Sequence, residues 1–150
     1  MIKRIMDYVT MFVELKGYGN DIIKMMLETI TKINNEKNIK DSFGNTHEVS
    51  VIEKLENAII FQFLDLKCCI EFEICASRKE GFIKWCRIHE DFESKPQKTL
   101  IIKDSFDECG SIKTSLESKM QYDVAKAGVY FFQTLINFCE INDKIKFEQG

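Results

Sequence analysis

Six cysteines, two histidines and a few close-set carboxylates are the side chains of this 150-residue chain whose types could do chemistry. The cysteines stand at Cys68, Cys69, Cys75, Cys86, Cys109 and Cys139. A structural zinc ion takes its ligands in close pairs, commonly Cys-x2-Cys, so that two thiolates reach one tetrahedral centre. That spacing does not occur here, and Cys68 and Cys69, being adjacent, would point to opposite sides of a strand. An even count admits a disulfide framework. Against it, a chain of this length buries a core without cross-links, and most of the cysteines lie in strongly apolar runs where a thiol acts as a small hydrophobe. Free thiols without a metal, in a reducing cytoplasmic setting, are the expectation.

Nucleophilic catalysis by cysteine needs a base within hydrogen-bond reach. Only His47 and His89 are available, and in Cys86-Arg87-Ile88-His89 the thiol and the imidazole are three apart, on opposite faces of a strand. Two carboxylate groups occur, Glu71 with Glu73 on one strand face, and Glu90, Asp91 and Glu93 just beyond. Acid–base work by such groups requires a cleft that drives their pKa values apart, whereas same-face carboxylates on an antiparallel sheet usually mark its wet side. Gly17-Tyr18-Gly19 lies in a helical context and lacks the strand-to-helix turn of a phosphate loop. No catalytic residue and no cofactor is assigned.

Phe82-Ile83-Lys84-Trp85-Cys86-Arg87 interleaves aromatic and basic residues, as an RNA-binding sheet would. The net charge of −3 and the acidic neighbours Glu71, Glu73, Glu90 and Asp91 oppose a phosphate track, and nucleic acid is set aside. Surface recognition of another protein fits better. Trp and Arg are enriched at interface hot spots, and charged neighbours set orientation. The candidate partner-binding residues are therefore Glu71, Glu73, Trp85, Arg87, His89, Glu90, Asp91 and Glu93. With Phe72 and Cys86 toward the core, one outer face would carry Ile60, Gln62, Glu71, Glu73, Trp85, Arg87, His89 and Lys103. A four-residue loop at Ser77–Glu80 would instead pair Phe72 with Trp85 and turn Trp85 inward, leaving the acidic cluster to meet a basic partner. Loop length decides between these, and the sequence leaves both open.

The elements that must position these residues are legible from hydrophobic period. Residues 2–16 carry two helical apolar rows, Gly17-Tyr18-Gly19-Asn20 reads as a break, and a second helix spans about 21–36, which together predict an N-terminal helical hairpin. From Glu48 to Asp104 the period falls to two, with strands at about 48–54, 58–64, 67–76, 81–89 and 98–104, and a short sixth at 111–115 after the turn at Asp107–Gly110. A two-residue turn at Asp65-Leu66 would pair Leu64 with Lys67, Phe61 with Ile70 and Ile59 with Phe72. Residues 117–140 form the last helix. One row is Met120, Val124, Ala127, Phe131, Leu135 and Phe138, and a second is Ala125, Val129, Phe132, Ile136 and Cys139. Only a narrow polar strip (Lys119, Lys126, Gln133, Asn137, Glu140) remains, so this helix reads as mostly buried, with Gly128 marking a close approach.

The sum is one α+β domain over residues 1–150: a helical hairpin, a five- to six-stranded antiparallel meander and a long buried C-terminal helix. The basic start of the chain is interrupted by Asp7, Glu14 and Lys16 with no small-residue cleavage site, and no run approaches the roughly 18 apolar residues of a membrane span. A soluble chain without a membrane segment is expected. The leading functional reading is a small non-enzymatic protein-binding module, such as an inhibitor, immunity or anti-defence protein. Alternatives are a small-molecule-binding or catalytic domain with a pocket between helices and sheet, and a structural subunit of a larger assembly. Doubled apolar rows on every helix, more than one sheet face covers, also raise a two-fold homodimer.

Overall fold

The period-two stretch folds as one open antiparallel sheet of seven strands in sequence order, β1 (Ser50–Lys54), β2 (Ala58–Phe63), β3 (Leu66–Cys75), β4 (Glu80–Glu90), β5 (Pro96–Asp107), β6 (Ser111–Lys113) and β7 (Gln121–Asp123). Two helices, α1 (Ile2–Glu36) and α2 (Ala127–Gln149), lie against one face of it. These elements come from a computed structural model that describes residues 2–90, 93–115 and 121–149. The α+β class and the antiparallel meander are as the sequence implies. The meander gains a seventh strand at Gln121–Asp123, where helical periodicity had suggested the start of the last helix. There Tyr122 packs edge-on to Tyr130 at 5.9 Å, and the Val124 amide donates to the Gly110 carbonyl. Met120 and Lys119, counted in that helix, lie outside the described residues.

The β2–β3 turn is Leu64-Asp65, one residue earlier than expected, with Leu64 in the left-handed region at φ 57°. Phe61 therefore faces Cys68 and Ile59 faces Ile70. The expected pairs are displaced by two positions, and a two-residue slip preserves the face of every side chain. At β3–β4 the loop is four residues, Ala76–Lys79, closed by a short 3-10 turn with Lys79 at φ 57°. Cys75 pairs with Glu80, so Ile70 faces Trp85 and Phe72 faces Ile83. Trp85 is thereby sent to the core, where it is fully buried.

The N-terminal hairpin is not formed, because α1 runs unbroken through Gly17 and Gly19. Each glycine costs about 1 kcal/mol relative to Ala inside a helix. Leu15, Ile22, Ile23, Met26, Ile30 and Ile33 are buried along one stripe of the continuous helix, each contributing about 1.5–3 kcal/mol. Burial wins by a wide margin. The first half has no such cover: Ile2, Ile5, Met6, Tyr8, Val9, Phe12 and Val13 are all exposed, Ile2 to 80%.

The last helix also departs from expectation. Only its first row is buried (Ala127, Phe131, Leu135 and Phe138, joined by Tyr130 and Thr134). Val129, Phe132 and Ile136 of the second row are exposed, because a single layer of two helices leaves the outer side of each uncovered. Gly128 does permit a close helix crossing. A Cβ there would collide with the Thr29 hydroxyl of α1.

Candidate functional site

Strand alternation and the β3–β4 register sort the candidate residues onto two faces. The helix-bearing side takes Ile59, Phe61, Cys68, Ile70, Phe72, Ile83, Trp85, Ile102 and Phe106. Trp85 sits there among Phe61, Phe131 and Phe138 with ring centroids 5.8–6.3 Å away. Its indole N–H donates to the Tyr130 hydroxyl at 3.1 Å, and that hydroxyl donates to Asp104 Oδ2. The Ser115 amide and hydroxyl donate to Asp104 Oδ1 at 2.7 and 3.0 Å. Asp104 and Tyr130 are buried, and the Tyr130 hydroxyl is pushed well above its ordinary range by burial and then by the Asp104 charge. Three accepted bonds satisfy this carboxylate, as a buried charge requires. It is a structural tie between β4, β5 and α2.

Arg87 pairs opposite Cys68 and Thr99, on the same side as Trp85 but at the far end of β4, where it is half-buried. His89 is exposed and contacts the Thr99 hydroxyl at 2.8 Å. The expected grouping of Trp85 and Arg87 with Glu71 and Glu73 is thus corrected: the register puts the two pairs on opposite faces. Glu90 is exposed at the end of β4, and Glu93 pairs with Lys95 at 3.1 Å in the following turn. Asp91 lies outside the described residues. His47 is remote from these, bonded to Asp41 Oδ2 at 2.9 Å within its own loop. That hydrogen bond holds the Asp41 carboxyl below its ordinary range.

Among the described residues, the other face of the sheet carries no helix. Across it runs a single cross-strand row, Ile60 opposite Cys69, Cys69 opposite Cys86, and Cys86 opposite Leu100. A bulge in the β4–β5 pairing between Trp85 and Cys86 brings Leu100 into that row. The adjacent row reads Ala58, Glu71, Lys84, Lys103, and the row on the other side reads Gln62, Lys67, Ile88, Lys98. Ala58, Cys69 and Cys86 are buried with Ile60 and Ile88 against them, forming an apolar cluster separate from the main core. Long side chains roof it. Lys98 reaches Glu71 at 2.9 Å, Lys84 is bonded to Glu73, and the Lys103 ammonium sits 4.2 Å over the Phe82 ring.

The electrostatics follow from those pairings. The hydrogen bond and charge of Lys84 lower the Glu73 carboxyl, and the hydrogen bond to Glu73 raises Lys84. Lys98 is raised by its hydrogen bond to Glu71. Burial first, and then the Glu71 charge, push the Cys69 thiol up to about 11, and burial likewise raises Cys86. Both are protonated thiols at neutral pH, the reverse of an activated nucleophile. All six cysteines are free thiols. Among the described residues no group of three His, Cys, Asp or Glu side chains converges as a metal site, and no helix is long and apolar enough to cross a membrane.

What the face can do is recognise a surface. It has an apolar centre, partly open at Leu100, which is 49% exposed, and fixed charges of both signs around it. Of the two registers open from sequence, the one with Cys86 toward the core placed Ile60, Gln62, Glu71, Glu73 and Lys103 on this side; the observed register keeps those residues here and adds Cys69, Cys86 and Leu100. The row exists only through the register and the bulge. No protein-family model, no curated protein and no solved structure matches the chain.

Proposed function

We propose that this chain is a non-enzymatic protein-binding module, acting as inhibitor, immunity or anti-defence proteins act, and that it meets its partner with the open face of the sheet. The observation that carries the reading is the apolar row Ile60–Cys69–Cys86–Leu100 flanked on both sides by charged rows. An apolar centre inside a polar rim is the anatomy of a recognition surface. Glu71 and Glu73, already oriented by Lys98 and Lys84, supply fixed charges to a partner, and exposed Glu90 adds a negative edge.

The test uses tagged chain to recover a partner from its source cells, followed by an affinity measurement on the purified pair. Leu100→Asp places a charge in the centre of the row and should weaken binding at least tenfold, with an unchanged circular dichroism spectrum. Arg78→Ala, exposed in the β3–β4 loop away from the row, should leave affinity within about twofold. Full affinity in Leu100→Asp would remove the open face from the interaction.

A further inference from the structure

Of the six cysteines, only Cys69 and Cys86 stand directly opposite each other across a strand pair. Cys68, one residue away, faces Phe61 and Arg87 and belongs to the helix-bearing side. Cys75 faces Glu80 at the mouth of the β3–β4 loop, Cys109 lies in the turn after β5, and Cys139 is on α2.

The geometry of the pair suits a covalent bond. Residues directly opposite in an antiparallel pair hold their Cα atoms about 4.5–5.5 Å apart, within the span of roughly 4.4–6.8 Å that a disulfide bridges. Their Cβ atoms, also about 4.5–5.5 Å apart, must close by up to about 1 Å. The strand can supply that movement at this position. A bulge between Trp85 and Cys86 interrupts the β4–β5 ladder beside the thiol, and a bulge bends its strand and increases the local twist.

Access is controlled by side chains rather than by a helix. Burial dominates the environment of both thiols, and after it come the same two charges, Glu71 opposing loss of each proton and Lys98 favouring it. The two sulfurs therefore form one site beneath one ion pair, whose lysine side chain is 46% exposed. Exposed ion pairs of this kind are weakly held, and exposed side chains change rotamer within nanoseconds.

We propose that Cys69 and Cys86 are a reversible oxidation site, joined into a cross-strand disulfide by a small-molecule disulfide, with the Glu71–Lys98 pair as its gate. One protein thiolate attacks a sulfur of the oxidant, breaks its S–S bond and releases one small thiolate. The second protein thiolate then attacks the sulfur of the first cysteine, forming the Cys69–Cys86 bond and expelling the second small thiolate. Two electrons pass from the protein sulfurs to the oxidant, and the two thiol protons, carried by water, end on the released thiols. The second step is intramolecular and runs at a high effective concentration. Burial and Glu71 keep the thiols protonated, which slows the first step, and the same basicity makes each sulfur a poor leaving group. The bond is thus slow to form and slow to reopen, a latch that fastens β3 to β4 in the middle of the apolar row. The proposal does not rest on that face recognising a partner, and its test uses the chain alone.

The reduced full chain is incubated with excess oxidised glutathione in native buffer, blocked with N-ethylmaleimide in denaturant and digested without reduction. Mass spectrometry should find one peptide pair linked through Cys69 and Cys86, reversible by dithiothreitol, with exposed Cys109 carrying a glutathione adduct from early times. Cys69→Ala should abolish the link. Glu71→Gln removes the charge that opposes thiolate formation and frees Lys98 to swing away, so the link should form roughly threefold faster or more, with the Cys109 rate unchanged. Melting temperatures check that both variants fold, and the wild-type map alone decides the pairing. Cys69 and Cys86 both blocked by maleimide after prolonged incubation, a link from either to another cysteine, or a link formed only in urea would overturn the proposal. An equal rate in Glu71→Gln would overturn the gate.

Discussion

Cys68 and Cys69 are neighbours in sequence and both are buried, yet they belong to two different structures. Cys68 lies under α2 in the main core, whereas Cys69 lies on the open face beneath a roof of Lys98, Glu71 and Lys84. The helix-bearing face is held by aromatic packing around Trp85 and a fully bonded Asp104. The open face is held by two ion pairs and one cation–π contact above a few small apolar side chains. Equal burial therefore does not mean equal stability. One face opens only when helices leave the sheet, and the other when two lysine side chains swing aside.

The largest effect should come from emptying the aromatic cluster. Trp85→Ala or Phe131→Ala is expected to cost about 3–5 kcal/mol, against less than about half a kcal/mol for exposed Lys126→Ala. Urea denaturation midpoints measure this, and similar values for the three variants would erase the distinction between the faces.

Thiol exchange at pH 8 sharpens it further. Exposed Cys109 should react first, Cys69 and Cys86 at least tenfold more slowly, and Cys68 only at the rate of global opening. The thiol of Cys69, raised to about 11, slows its reaction without closing access. Mass spectrometry of timed samples reads the order, and Cys68 labelling before Cys69 would contradict it.

A smaller effect is expected from Tyr130→Phe, which removes one hydroxyl and strands the Trp85 N–H and one Asp104 oxygen, at about 1–3 kcal/mol. It also changes the alkaline limb. Because the folded hydroxyl titrates above the unfolded value of about 10, wild-type stability from this group is complete below that pH and falls as pH rises past it. The variant should lose that component, as melting temperatures between pH 9 and about 11 would reveal.

The smallest effect belongs to the open face. Glu73→Gln should leave the melting temperature at pH 7 nearly unchanged, as for exposed ion pairs generally. The Glu73 carboxyl is lowered from 4.5, so whatever the pair contributes is present above that pH and fades as pH falls through the lower folded value. Wild type and variant should converge there. A large loss at neutral pH would show that the roof stabilises the sheet as strongly as the core does.

Much of this architecture is readable from local chemistry. The turn at Asp107–Gly110 forms as its residue types suggest, with Asp107 Oδ1 accepting from the Cys109 and Ser111 amides and Gly110 at φ 75°. The face of every β2 and β3 side chain follows from alternation and survives a displaced turn. Gly128 signals a close crossing that Thr29 fills. What misled was competition between local preference and distant packing. Gly17 and Gly19 weaken a helix locally, but the sheet beneath buries enough of α1 to carry it through. The second apolar row of α2 has helical spacing without having a partner within the same chain.

Composition and period by themselves determined the α+β class, an antiparallel meander between N- and C-terminal helical segments, and which side chains of β2 and β3 share a face, because these depend on spacings of two and about 3.6 residues along one chain. Three things were decided only in the tertiary structure: whether Trp85 faces in or out, whether α1 breaks, and that Ile60, Cys69, Cys86 and Leu100 form a row. The first and third rest on a four-residue loop and a one-residue bulge, each of which changes register parity or alignment without altering hydrophobic pattern. The second rests on burial against strands more than thirty residues away. A local preference of about 1 kcal/mol at a glycine cannot report an opposing gain of several kcal/mol made across that distance.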